Sequence, residues 1–177
     1  MQDLVVIAGP IGSGKSTVAG ELARQCATAS RSVATADLDD VAFGQEGCLD
    51  LHEFWRRAGV AHVALVSGWL RSGVEVVIAH GPFGEAGSYG ALRAAAHDTV
   101  RFHHVLLSVS VEDAQERVIG DVSRPASALS RDPEFLRSTH EAFGALDLPP
   151  CDEVFDTSRR SPSQIAHEIA ARLSHRP

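Results

Sequence analysis

Residues 9–17 read GPIGSGKST, and Lys15 within them is the only lysine in a 177-residue chain that carries fifteen arginines. The stretch Gly9, Pro10, Ile11, Gly12, Ser13, Gly14, Lys15, Ser16 fits G-x-x-x-x-G-K-[ST], and Thr17 follows it. The residue types suit phosphate binding for separate reasons. Glycines let the backbone close around a phosphate and turn its N–H groups inward. A helix beginning at the same point adds the positive end of its dipole. Lys15 then reaches the β- and γ-phosphates of a nucleotide, and the Ser16 hydroxyl is placed to ligate Mg²⁺. The lone lysine sharpens this reading. The chain uses arginine wherever charge alone suffices, and a planar guanidinium does not replace a compact ammonium among phosphates.

The next acidic cluster is Thr35-Ala36-Asp37-Leu38-Asp39-Asp40. Read as extended chain, Asp37 and Asp39 project to one face and Asp40 to the other. Ligands of open α/β sheets bind at the C-terminal ends of the strands, which puts this pair beside a γ-phosphate. One carboxylate can take the proton of an attacking hydroxyl and the other can hold Mg²⁺ through water.

These residues need elements to position them. Apolar runs at 4–9, 32–37, 74–81, 103–110 and 153–156 read as five strands, several nearly continuous in valine and isoleucine, as expected when both faces of a parallel sheet are covered. Helical patterns lie between them at 15–27, 51–72, 88–97, 111–121 and 133–145, and a last one starts at Pro162. Ser161-Pro162-Ser163-Gln164 supplies an N-cap, a proline at the first helical position and a glutamine placed for a capping box. Asp132-Pro133 repeats the cap-then-proline signal. Ile165, Ile169 and Leu173 then form an apolar stripe. The alternation predicts one α/β domain over 1–177 with a five-stranded parallel sheet between helical layers. The irregular stretches 38–50, 81–88 and 121–132 are where functional loops are expected.

Composition excludes several classes. A net charge of −7 argues against a duplex-binding surface. No apolar run is long enough to cross a bilayer, and the start MQDLVVIAG has no basic leader, so the expectation is a cytoplasmic protein with no membrane partner. Cys26, Cys48 and Cys151 are far apart with no CxxC pair, which fits idle thiols better than a disulfide framework or zinc site. No hydrophobic strand ends in the Asp-Glu of a mechanical ATPase, and no guanine-reading NKxD motif is present.

The chain resembles the small P-loop kinases of the shikimate kinase and gluconate kinase type, and the related chloramphenicol phosphotransferase, over nearly its whole length. The resemblance implies a P-loop NTPase fold with a helical acceptor-binding insert at about 40–72 and a mobile lid at about 121–132. It also implies an Asp at the end of the second strand as base or magnesium organiser. Shikimate kinases have D-x-D there, like Asp37-Leu38-Asp39. Chloramphenicol phosphotransferase has a single base at a spacing closer to Asp37, so both remain eligible and Asp37 is favoured. Arg117 and Arg124, with Pro125 after the second, match the lid arginines of shikimate kinases. That match implies Arg124 on the transferring phosphoryl group and Arg117 over the nucleotide, with Arg131 in reserve. The turn Asp156-Thr157-Ser158-Arg159 corresponds to one that packs on adenine, where Arg159 could stack.

Acceptor residues are less defined. The glycine triplet that follows the third strand in shikimate kinases is replaced by His80-Gly81-Pro82-Phe83-Gly84, which argues against shikimate as substrate. His80 and Phe83 are expected to face an acceptor with some apolar surface. Trp55, Arg56 and Arg57 lie near the start of the insert, Trp69 reads as core, and Arg137 resembles in position a substrate-binding arginine of shikimate kinases. The expected function is Mg²⁺-dependent transfer of the γ-phosphate of ATP to a hydroxyl of a small molecule. Antibiotics and intermediates of secondary metabolism are among the open acceptors. A nucleoside or nucleotide kinase and a non-catalytic nucleotide-binding regulator are the alternatives. The expected state is a monomer or homodimer.

Overall fold

β1 (Gln2–Ala8) carries Leu4, Val5, Val6 and Ile7 without a polar break, and all four are fully buried because helices cover both faces of the strand. The computed structural model describes residues 1–47, 50–83, 86–122, 124–126 and 128–174, with the side chains of 86–88 excepted. Cys48, Gly84 and Ser123 lie outside the described residues. After β1 come α1 (Lys15–Thr28), β2 (Val33–Asp37), α2 (Leu38–Phe43), α3 (Leu51–Arg71), β3 (Val76–Gly81) and α4 (Ala86–Ala95). They are followed by β4 (Val100–Ser108), α5 (Val111–Gly120), a 3-10 turn (Leu129–Arg131), α6 (Pro133–Gly144), β5 (Glu153–Asp156) and α7 (Pro162–Ser174).

The sheet order is β2-β3-β1-β4-β5, and every pairing is parallel. The expected three-layer α/β domain is therefore the observed one. Alternation along β1 splits the core in two. Val5 and Ile7 join Ile78, Val105 and Leu107 beneath α1 and α7, where Leu22, Ile165 and Ile169 meet them. Leu4, Val6 and Ala8 face the other way, onto Leu38, Val66, Leu70 and Leu92 of α2, α3 and α4. The expected caps are present: Asp132 accepts from the N–H groups of Glu134 and Phe135, and Ser161 and Gln164 exchange reciprocal bonds.

Three expectations change. β4 starts at Val100, ahead of position 103, because Val100 and Phe102 also pack on the α3 side of the sheet. The irregular stretch after β2 contains α2, only six residues long and too short to show periodicity. Trp69 is 39% exposed and not core: Val66 and Leu70 take the inward positions of α3, and Trp69 falls on its outer flank.

At the end of β1 remote from the phosphate loop, Asp3 is fully buried. Arg31 Nη2 donates to it at 2.6 Å and Arg101 Nη2 at 3.1 Å, with His103 Nε2 at 3.3 Å. Burial alone would raise its pKa, but hydrogen bonds from His103, Arg31 and Arg101 outweigh it and hold the group at about 2, below the usual 3.8. A carboxylate with a depressed folded-state pKa stabilises fully above its unfolded value and loses that contribution as pH falls through the folded one. The contribution is about 2 kcal/mol, lost between about pH 4 and pH 2. Asp3→Asn is expected to lower urea-unfolding stability at pH 7 by about 2–4 kcal/mol and to narrow the gap to wild type at acid pH. A gap that does not change with pH would contradict this account.

Candidate active site

The loop after β1 turns back on itself before α1. Gly12 has φ +77°, and a Cβ there would come within 2.9 Å of Ala114 Cα on α5. Only glycine fits, and α5 is thereby held against the loop. Lys15 opens α1 and is 9% exposed. Its Nζ donates to the carbonyls of Gly9 and Pro10, both at 3.0 Å. Burial pulls the Lys15 pKa down, and the carboxylates of Asp39 and Asp37 oppose that shift. Ser13 is buried, whereas Ser16 and Thr17 are exposed on the first turn of α1. Ser16 Oγ donates to Asp37 Oδ2 at 3.4 Å, which brings the first helix and the end of β2 together.

The acidic cluster is not an extended chain. Asp37 ends β2 and is the N-cap of α2, its Oδ1 accepting from Asp39 N–H at 2.9 Å. Aspartate favours that position, and the buried Leu38 commits the next residue to the helix. The same-face relation of Asp37 and Asp39 is therefore lost. The two still converge, because a helical first turn folds Asp39 back toward Lys15. Burial raises the Asp39 pKa, with Lys15 and Arg124 opposing and Asp37 adding to it. Gly81 lets α2 lean on β3, since a Cβ there would lie 2.5 Å from Leu38 Cβ.

Parallel register pairs Asp37 with His80 on β3, so the two side chains sit together. His80 is 5% exposed, and its Nδ1 lies 3.5 Å from Asp37 Oδ2. Burial pulls its pKa down, which leaves the ring neutral near pH 7. His62 of α3 donates Nε2–H to Ala36 C=O at 2.9 Å and fixes the end of β2, a role the sequence gave no sign of. Phe83 does not line the acceptor side. It is 3% exposed and packs into the core under α3 with its ring 5.6 Å from His62. Trp55 is half-buried in an aromatic group with Phe54 at 5.4 Å and Phe43 at 6.5 Å. Arg56 and Arg57 are exposed and both donate to Glu53.

The remaining predicted arginines lie on α5 and beyond it in the chain. Arg117 of α5 donates to Gly12 C=O at 3.1 Å and to Thr157 through Oγ1 at 2.8 Å and C=O at 2.9 Å. It thus ties the phosphate loop to the turn after β5. Arg124 donates to Ser130 Oγ at 2.8 Å, and its charge acts on both Lys15 and Asp39. Arg131 donates to the carbonyls of Ile119, Asp121, Arg124 and Pro125, which ties the end of α5 to the segment after it. His140 of α6 donates Nε2–H to Ile11 C=O at 2.8 Å, a second tie to the loop that sequence reasoning missed. Arg159 is exposed and pairs with Asp156 at 3.1 Å. Arg137 stands apart from the predicted acceptor residues, in a groove between α5 and α6 lined by Val111, Glu112, Gln115, His140 and Glu141.

Ser16 and Asp37 offer two hard oxygen donors side by side, which fits Mg²⁺: that ion takes one or two protein oxygens and completes its shell with phosphates and water. Among the described residues, no cluster of three or more His, Cys, Asp or Glu side chains is arranged for a metal. Among them, too, no helix is long and apolar enough to cross a membrane.

Solved structures with this fold include the APS kinase of Mycobacterium tuberculosis in complex with AMPPNP and APS, at 17% identity and TM-score 0.64, covering 98% of each chain. The tunicamycin resistance protein of Deinococcus radiodurans superposes at 17% identity and TM-score 0.63, covering 99% of this chain and 98% of that one. Shikimate kinase from Acinetobacter baumannii in complex with shikimate does so at 19% identity and TM-score 0.58, over 98% and 93%. No curated protein matches by sequence. The sequence does match the family model described as adenylylsulphate kinase over residues 2–126, which takes in the phosphate loop, the Asp37 turn, β3, α5 and Arg124. The likeness to small P-loop kinases thus becomes a specific assignment: the chain belongs to the adenylylsulphate kinase family.

Proposed function

We propose that the protein is a cytoplasmic enzyme that transfers the γ-phosphate of ATP to a hydroxyl of a small molecule. The observation that carries this reading is the convergence of Lys15, Asp37, Asp39 and Arg124 at the mouth of the phosphate loop, where each acts on another's charge. A nucleotide-binding module without chemistry needs Lys15 and the loop, but it has less use for two half-buried carboxylates that act on Lys15. Phosphoryl transfer does, because it depends on positioning and on fixed charge around the transferring group.

The roles follow from place. Loop N–H groups and Lys15 hold the β- and γ-phosphates. Arg124 supplies positive charge from the lid side and Arg117 braces the loop against the turn that receives the base. Ser16 and Asp37 would hold Mg²⁺, which when bound neutralises phosphate charge. Asp37, kept in place by Ser16, His80 and the α2 backbone, is the group that orients and deprotonates the acceptor hydroxyl, while Asp39 acts on the charge of Lys15. ADP release measured against a panel of small alcohols, antibiotics included, tests the reading. Acceptor-dependent ADP release is expected. Tight ATP binding with no acceptor raising ADP release above the basal rate would replace the kinase by a nucleotide-binding regulator.

A further inference from the structure

The row Val76, Ile78, His80 runs along the face of β3 that looks toward α1, since alternate residues of a strand share a face and the first two pack in the core under α1. Register sets His80 between Ile7 of β1 and Asp37 of β2. An apolar side chain would continue that row, whereas a covered polar one needs a partner. His80 is 5% exposed, and its Nδ1 is closed off from solvent and makes no hydrogen bond among the described residues. The polar atom beside it is Asp37 Oδ2, at 3.5 Å.

The two oxygens of Asp37 are held differently. Oδ1 accepts from Asp39 N–H at 2.9 Å and carries the cap of α2. Oδ2 lies between Ser16 Oγ at 3.4 Å and His80 Nδ1 at 3.5 Å, both longer than a settled hydrogen bond. The backbone under the pair is fixed, because His62 holds Ala36 C=O and Gly81 lets Leu38 close against β3. Ser16 also has Mg²⁺ to serve in the kinase reading, whereas the Nδ1 of His80 has no other duty. Catalytic hydrogen bonds of this length commonly shorten once substrates are in place.

We infer that His80 is a positioning residue for the proposed base: its Nδ1–H donates to Asp37 Oδ2 and holds that oxygen toward the acceptor hydroxyl, while Oδ1 keeps the α2 cap. The inference rests on the kinase reading above and deepens it. Oδ2 has a lone pair for His80 and another for the hydroxyl. The hydroxyl proton passes to Oδ2 as the acceptor oxygen takes the γ-phosphorus and ADP leaves.

Two measurements test this. Proton–nitrogen correlation spectra of the full chain, labelled in histidine, report which ring nitrogen carries the proton, and loss of a signal in His80→Asn assigns it to His80. The proton is expected on Nδ1, with a signal that moves in Asp37→Asn. A bare Nδ1 with the proton on Nε2 overturns the inference, and this readout needs no turnover.

The second is ADP release from Mg²⁺–ATP, with adenylylsulphate, chloramphenicol or glycerol as acceptor and with water alone, the variants being compared in the fastest condition. His80→Leu fills the space without a donor, and is expected to lower kcat by about tenfold to a hundredfold with the KM for ATP within about twofold of wild type. His80→Asn, whose amide nitrogen stands where Nδ1 does, should recover kcat to within about fivefold of wild type. His80→Gln, whose amide reaches the Nε2 position, should stay as slow as His80→Leu. Thermal melts accompany each variant, and the wild-type spectra decide where one does not fold. His80→Leu turnover within about threefold of wild type, or His80→Asn as slow as His80→Leu, overturns the inference and leaves the kinase intact. ATP binding without ADP release in the wild type overturns the kinase reading, and the inference falls with it.

Discussion

Lys15→Arg, which keeps the charge, is expected to lose about a hundredfold or more in kcat/KM, and Lys15→Ala about a thousandfold. The geometry says why charge is not enough. Lys15 Nζ sits 3.0 Å from two loop carbonyls, Gly9 and Pro10, in a position that is 9% exposed. An ammonium offers three donors around one atom and can keep those carbonyls while turning toward phosphate oxygens. A guanidinium is a wide planar fork, and here it would have to displace the loop backbone to fit. Both variants are expected to remain folded. Removing a buried cation also removes its desolvation cost, and the apolar faces of the sheet are untouched. The check is ADP release for each variant beside its thermal melt. Lys15→Arg turnover within about threefold of wild type would show that charge alone is needed, and would separate the chain's single lysine from its chemistry.

That lysine also illustrates what a sequence discloses. The phosphate loop was legible because it is local: its function is written in contiguous residue types, and the strand before it and the helix after it have clear periods. The same holds for the caps at Asp132 and Ser161. Asp37 was legible as a site residue, but its geometry was not, because α2 has six residues and a helix that short carries no periodic signal. Phe83 illustrates a second limit. It stands in a loop at the ligand end of β3, yet it turns inward onto His62, a contact across 21 positions that depends on α3 crossing β2 and β3. His140 and Arg131 show a third. Each donates to backbone carbonyls, and a carbonyl has no identity in the sequence to be recognised by. Arg131 differs from Arg124 only by where its guanidinium ends, and spacing cannot supply that.

The acceptor side is where the two carboxylates must be told apart. Asp37→Asn is the clean substitution, because asparagine caps a helix about as well as aspartate and matches its volume, so α2 keeps its first turn. The structural cost should stay below about 1 kcal/mol. What is lost is the negative oxygen beside Ser16 and His80. If Asp37 takes the hydroxyl proton, kcat falls by about 10²–10⁴ and the Mg²⁺ concentration needed for half-maximal rate rises. Asp39→Asn should act differently. Burial raises the Asp39 pKa against the opposing charges of Lys15 and Arg124, so Asp39 loses its charge at a higher pH than a solvated aspartate. As pH falls through that raised value the carboxylate is protonated and its hold on the Lys15 charge weakens. Wild-type kcat/KM should therefore decline toward acid pH earlier than an ordinary aspartate dictates. Asp39→Asn should lower the plateau and abolish that early decline, while Asp37→Asn should keep the decline on a much lower curve. If Asp39→Asn costs more than Asp37→Asn and the early acid limb persists in it, the assignments are reversed: Asp39 is the base, and Asp37 serves the metal and the α2 cap alone.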